Sequence, residues 1–149
     1  MHLIYSKPVL KNLSQGSRIS FIRQFRYLTQ DDVSDMLGLE GESKRRTMAR
    51  YERGNRNPSK NRLKELSKIL LIDSSLIEKY EFKDKTDLMY FFLWLEELFP
   101  KLEINLNSYD EDLNDFFVEW NKIRLKRKNY EITYEKYIEW KLNYKYRKD

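Results

Sequence analysis

Residues 47–58 read TMARYERGNRNP, a short arginine-rich segment that ends at a glycine. Met48 and Tyr51 are three positions apart and therefore share one side of a helix. Gly54 is the residue type that most readily ends a helix in the left-handed conformation, and Pro58 follows shortly after it. The segment therefore predicts a short helix with one apolar side and a basic remainder.

Two further helices are predicted upstream of this segment. Apolar residues recur at helical spacing behind Ser17, which is expected to cap the first helix. Thr29 is expected to cap the second helix by accepting from the amide of Asp32, and Gly38 is expected to end it. Ser43 offers a cap for the arginine-rich helix itself. The order is thus three short helices joined by short turns.

Two more helices are predicted downstream. One opens at Ser59 and carries Leu63, Leu66 and Leu70 along its core side, and a short fifth begins at Asp73. Five short helices separated by short connections are typical of a compact helical domain.

In order and spacing, these helices resemble the Cro and phage-repressor type of helix-turn-helix, also called Xre-like. The resemblance covers residues 14–81. It implies a mainly α fold, in which a five-helix lambda-repressor-like DNA-binding domain precedes a smaller helical domain with one short β-strand. The implied partner is double-stranded DNA.

The resemblance also implies roles for individual residues, counted back from the landmark at residues 51–54. The positions that face base edges hold Arg45, Arg46 and Arg50, and an arginine suits them because it donates two hydrogen bonds to guanine. The positions that touch the DNA backbone hold Gln30, Lys44, Thr47, Arg56 and Asn57. Arg23 and Glu52 match a structural salt bridge between the first and third helices.

The spacing departs from the family pattern in one place. Between Gly38 and Tyr51 the chain has about four residues more than the common spacing, within residues 39–46. The extra residues either lengthen the turn or add a helical turn before the arginines. Glu40 and Glu42 lie there, and they either point away from DNA or cap the helix. Without the flanking motifs, the basic run 44–46 would be read as a solvated helix side.

The charge distribution agrees with a nucleic-acid partner. The chain has 29 Lys and Arg against 24 Asp and Glu, for a net charge of +5. Residues 1–81 hold 16 basic and 10 acidic residues, whereas residues 82–149 hold 13 and 14. The positive field therefore belongs to the first part of the chain.

Composition also bears on location. Cysteine is absent, which excludes disulfides and thiolate chemistry. The opening residues lack the apolar core of a signal peptide, and no apolar run is long enough to cross a bilayer. We expect a cytoplasmic, nucleoid-associated protein.

Residues 86–149 are predicted to form a second helical domain for dimerisation or partner binding. A helix over 88–99 is apolar on nearly every side, residues 102–106 alternate as a strand does, and further helices begin at Asp110 and Thr133. The predicted dimer or partner surface comprises Phe91, Phe92, Trp94, Leu95, Leu98, Phe116 and Trp120. Residues 116–120 and 131–140 also resemble a C-terminal region that follows Xre-like domains in uncharacterised proteins of low-GC bacteria.

Residues suited to catalysis or metal binding are few. His2 is the only histidine, the acidic run 110–115 lacks the glycine of a calcium loop, and Glu96 and Glu97 point apart on a helix. We expect no enzymatic activity, no metal and no cofactor.

Two functions remain open at this point. The first is a sequence-specific transcriptional regulator, a repressor of a phage or mobile element, that binds a palindromic operator as a homodimer. The alternative is a phage-type inhibitor (anti-CRISPR-like) or antitoxin, whose C-terminal domain binds a protein partner while the helix-turn-helix controls its own promoter. The apolar helix 88–99 and the lone strand motivate the alternative.

Overall fold

The structure is a computed structural model that describes residues 7–82, 84–101 and 108–145. The chain forms two compact units, of which the first ends at Tyr80 and the second begins at Glu81. The helices of the first unit are α1 (Gln15–Phe25), α2 (Gln30–Met36), α3 (Glu42–Arg53) and α4 (Lys60–Leu70). Those of the second are α5 (Lys85–Leu98), α6 (Glu111–Lys128) and α7 (Tyr134–Leu142).

One part of the predicted architecture is not confirmed by the structure, and another lies outside the residues that it describes. The fifth helix of the first unit is only a single 3-10 turn, Ser74–Leu76, in which the Asp73 side chain accepts from the amide of Ser75. Its three residues are too few for α-helical hydrogen bonds, so the prediction of five α-helices is not confirmed. No strand occurs among the described residues, and the strand predicted at 102–106 lies outside them.

The helix starts follow local capping chemistry. Thr29 and Asp32 form a reciprocal capping box at the start of α2, which confirms that cap, and the backbone hydrogen bond from Thr29 lowers the pKa of Asp32. Ser14 rather than Ser17 caps α1. Helix α3 begins before Ser43, since Gly41 adopts φ 66° and turns the chain into the helix.

The core of the first unit lies between α1, α3 and α4. Ile19 and Ile22 of α1, Met48 of α3 and Leu66 of α4 are all fully buried. Gly16 of α1 faces the backbone carbonyls of Tyr51 and Glu52, where a Cβ atom would collide with main chain. The start of α1 therefore packs directly on the end of α3.

Arg18 joins α1 to the end of the first unit. Its side chain is 1% exposed. It donates to the carbonyls of Leu76 and Glu78 at 2.6 Å each and to that of Leu13 at 3.2 Å, and its guanidinium lies 4.1 Å from the ring centroid of Tyr80. Burial raises the pKa of Tyr80 to about 12. These contacts hold the last residues of the first unit, 76–80, against α1.

The second unit has an aromatic core with a buried charge cluster. Phe116 and Trp120 of α6 stack at 5.6 Å, and both are at most 1% exposed. Lys141 of α7 is 5% exposed and lies 2.6 Å from a carboxylate oxygen of Glu96 and 2.7 Å from one of Glu97. A buried cation beside two carboxylates thus links α5 to α7.

Candidate nucleic-acid interface

The exposed side of α3 carries a row of arginines. Arg46, Arg50 and Arg53 are spaced four and three residues apart, which places them within about 60° of one another around the helix axis. All three are exposed. Met48 (0% exposed) and Tyr51 (4%) anchor the opposite side in the core. The helix therefore presents its cations outwards on a fixed support.

Arg45 does not belong to this row. Although it is exposed, it lies about 100° from Arg46 and about 140° from Arg50 around α3. The structure thus brings Arg46 and Arg50 together and leaves the third predicted base-reading residue on another side of the helix.

Thr47, which was predicted to contact the DNA backbone, is buried in the structure. Its side chain is 6% exposed, because α3 buries it together with Met48 and Tyr51. A hydroxyl in that position has almost no surface to offer a phosphate. The prediction of a DNA contact by Thr47 therefore does not fit the structure.

Two cations near the start of α3 are held in ion pairs. The ammonium of Lys44 lies 2.6 Å from a carboxylate oxygen of Asp35 on α2, and Asp35 raises the pKa of Lys44 by accepting its hydrogen bond. Arg46 lies 3.5 Å from a carboxylate oxygen of Glu42, one helical turn earlier. These pairs are solvent-exposed and are therefore weak.

The segment predicted as an insertion forms both a turn and a helical start. Residues 37–41 connect α2 to α3, and Gly38 and Gly41 adopt φ values of 75° and 66° there. Glu40 is exposed, and Glu42 lies in the first turn of α3, where a carboxylate interacts favourably with the helix dipole. No side chain caps this helix start.

An ion-pair network ties α1 and α2 to the end of α3. Arg23 donates to Glu52 at 2.8 and 3.1 Å, and their side chains are 12% and 7% exposed. The Gln30 amide also donates to Glu52, at 2.9 Å, and Arg23 further donates to the carbonyl of Leu28 at 2.8 Å. Glu52 thus orients Gln30, a predicted phosphate contact, at the start of α2.

The loop after α3 presents the last of the predicted contact residues. Gly54 ends the helix in the left-handed conformation at φ 78°, as the sequence predicted. The amide of Asn55 then returns to the carbonyl of Arg50 at 3.0 Å, and Arg56 and Asn57 are exposed beyond it. A fixed turn therefore projects both side chains from the same end of α3.

Comparison with known proteins agrees with this geometry. A helix-turn-helix family matches residues 21–77, the span that contains α2, α3 and α4. This part of the chain is a helix-turn-helix domain. A match to that family over this span indicates a DNA-binding transcriptional regulator. Neither the search of curated proteins nor the search of solved structures gave a match.

Arg53 is a further candidate for contact with DNA, and the sequence analysis did not identify it. It lies in the row with Arg46 and Arg50 and donates to the carbonyl of Ala49 at 3.3 Å. Its spacing of seven residues from Arg46 and three from Arg50 was the signal that could have identified it.

The predicted dimer or partner surface of the second unit is partly buried. Trp94, Phe116 and Trp120 are at most 3% exposed because α5, α6 and α7 pack around them, so these three residues are core rather than surface. The remaining four, all on α5, are partly exposed: Phe91, Phe92, Leu95 and Leu98.

Among the described residues, no group of His, Asp and Glu side chains is arranged to hold a metal ion. No helix in the described ranges combines the length and apolar character that spanning a membrane requires.

Proposed function

We propose that the protein is a sequence-specific transcriptional repressor of the phage or mobile-element type, which binds a palindromic operator as a homodimer. The observation that carries the proposal is the row of exposed arginines on α3 within a helix-turn-helix domain. On this proposal the protein is not an enzyme and acts at the chromosome, in the cytoplasm.

In the proposed complex, α3 lies in the major groove. Arg46 and Arg50 are one helical turn apart, so each can reach a separate guanine and donate to its N7 and O6 atoms. Each such pair contributes roughly 1–3 kcal/mol of discrimination against other bases. We therefore expect guanines in each half-site of the operator.

The remaining contacts hold the domain on the DNA backbone. Gln30, Arg56 and Asn57 are placed at the start of α2 and after α3, where side chains can reach phosphates on either side of the groove. Glu52 supports this role, because it holds both Gln30 and the end of α3 in place. Phosphate contacts set register and affinity but do not read sequence.

Dimerisation is proposed on energetic grounds. A single small helical module buries too little surface for tight binding at physiological salt, whereas two modules on half-sites about 34–36 Å apart add their contacts. We assign the contact between copies to the partly exposed residues of α5. Sedimentation of the full chain should give the mass of a dimer, and a monomer at operator-binding concentrations would contradict this assignment.

The test is binding to DNA from immediately upstream of the protein's own gene, titrated across salt concentrations. The test variant is Arg46→Ala/Arg50→Ala, and the matched control is Lys64→Ala/Lys68→Ala, which removes two exposed cations from α4. We expect nanomolar binding by the wild type and the control, two protected half-sites, and a loss of roughly 30-fold to 20,000-fold per half-site for the test variant.

Weak, salt-sensitive binding that is equal in all three proteins would overturn the proposal. It would favour the alternative, an inhibitor or antitoxin that acts through a protein partner of the second unit. The observation in favour of that alternative is the exposed apolar surface of α6, where Val118 (48% exposed) and Leu125 (57%) lie seven residues apart on one side.

A further inference from the structure

Two acidic side chains already engage the cations that begin α3. The carboxylate of Asp35 lies 2.6 Å from the ammonium of Lys44, and that of Glu42 lies 3.5 Å from the guanidinium of Arg46. The side chains of Asp35 and Glu42 are 59% and 86% exposed, so neither is fixed by burial in the core. We call these two residues the acidic pair.

The rest of the basic surface of α3 differs in this respect. Arg45 and Arg50 are exposed and make no ion pair with any residue in the described ranges. The acidic pair therefore engages some cations of the helix and not others. It flanks the turn 37–41, the segment in which the chain is longer than the family spacing.

We propose that the acidic pair competes with DNA phosphates for Lys44 and Arg46, and so weakens binding to DNA of any sequence. This inference rests on the proposed function and names a device that limits DNA affinity within the same site. A cation that contacts a phosphate must first leave its carboxylate, whichever sequence is bound.

The size of the effect follows from the strength of the pairs. An exposed ion pair one helical turn apart is worth about twofold in an equilibrium constant. A correct arginine–guanine pair discriminates by about 5-fold to 150-fold. The operator therefore breaks the pair between Glu42 and Arg46 completely, at its full cost of about twofold in affinity, whereas a phosphate of random DNA, which offers a weaker gain, breaks it only partly.

The experiment measures binding of the full chain to a short duplex of random sequence across salt concentrations. The variant is Asp35→Asn/Glu42→Gln. We expect binding to random DNA that is tighter by up to about fourfold, and a salt dependence of log K steeper by up to about 0.9 for each newly contacted phosphate. Operator affinity should rise by at least as much, because the operator complex breaks the pairs more completely.

Glu65→Gln is the matched control. Glu65 is also exposed and pairs with an arginine on its own helix, Arg62, at 3.0 Å, but it lies on α4. The control makes the same kind of change, one carboxylate to one amide in an exposed ion pair. We expect its binding to random DNA to equal that of the wild type.

A double-mutant cycle separates competition from simple repulsion of the DNA. If Glu42 acts through Arg46, then Glu42→Gln should have no effect in an Arg46→Ala background, and Asp35→Asn should have none with Lys44→Ala. Effects that persist in those backgrounds, or no gain in binding to random DNA by the acidic-pair variant, would overturn the proposal. Melting curves of each variant show that binding is compared between folded proteins.

Failure of this inference is distinguishable from failure of the proposed function. Operator binding that depends on Arg50, together with unchanged binding of random DNA by the acidic-pair variant, overturns only the competition. Binding that is indifferent to Arg50 overturns both.

Discussion

Replacing Glu52 with alanine tests whether the network at the end of α3 supports the first unit. The substitution removes the acceptor of Arg23 and of Gln30 at once. Because Arg23 is only 12% exposed, its charge would remain largely buried without its carboxylate. We expect the first unit to lose stability for this reason.

The size of the effect follows from the geometry. Removing one partner of a buried ion pair costs about 3–5 kcal/mol. Arg23 keeps its hydrogen bond to the carbonyl of Leu28, so we take the lower end, about 3 kcal/mol. For a domain of this size, such a loss lowers the melting temperature by about 12–24 °C.

The assay can follow the two units separately. All three tryptophans, Trp94, Trp120 and Trp140, lie in the second unit, so tryptophan fluorescence reports that unit while far-UV circular dichroism reports the helices of both. The part of the circular dichroism melting curve that occurs without a change in fluorescence reports the first unit. We expect Glu52→Ala to lower the midpoint of that part. Glu65→Ala, at an exposed ion pair, should change stability by no more than about 0.5 kcal/mol.

The double variant Arg23→Ala/Glu52→Ala supplies the decisive comparison. If the cost arises from an uncompensated charge, the double variant should be less destabilised than the sum of the two single variants. Single effects that add to within about 0.5 kcal/mol would refute the buried-pair reasoning.

Three further predictions concern other parts of the chain. Gly16→Ala should destabilise the first unit by about 1–3 kcal/mol in denaturant titrations, because a Cβ atom would collide with the backbone of Tyr51; an unchanged midpoint would contradict this close packing. Raising the pH from the ordinary tyrosine pKa near 10 towards 12 should destabilise the first unit of the wild type more than that of Tyr80→Phe, because the unfolded chain loses the Tyr80 proton before the folded one; parallel pH profiles of that unit would contradict this. Lys141→Met should destabilise the second unit by about 3–5 kcal/mol, measured by tryptophan fluorescence, because two adjacent carboxylates lose their shared cation; a fluorescence transition like that of the wild type would argue against it.

Features set by local chemistry could be predicted from the sequence. The Thr29 cap and the end of α3 at Gly54 depend only on residues within one turn, and the placement of Arg46 with Arg50 depends only on helical spacing. The starts of α1 and α3 were each misplaced, because Ser14 and Gly41 also satisfy the local rules and lie earlier in the chain.

Features set by distant partners could not be predicted. From the sequence alone, Arg18 would be read as a solvent-exposed cation. Its side chain is instead buried against two carbonyl acceptors that lie 58 and 60 residues further along the chain, which no local pattern indicates. The pairing of Lys44 with Asp35 depends on the path of the turn 37–41, and the burial of Trp94 and Trp120 depends on how three helices pack. The apolar pattern of a helix shows that it must be buried, but it does not show which residues bury it.

The contacts of Arg18 also decide how much of the chain is needed for an autonomous DNA-binding fragment. A fragment trimmed to the family match, residues 21–77, would omit Arg18 and end before Glu78 and Tyr80. A fragment that keeps Arg18 but stops after α4 would leave a buried guanidinium with only the carbonyl of Leu13. Shortened versions, and fusions that transplant this domain onto another protein, should therefore begin before Leu13 and continue through Tyr80.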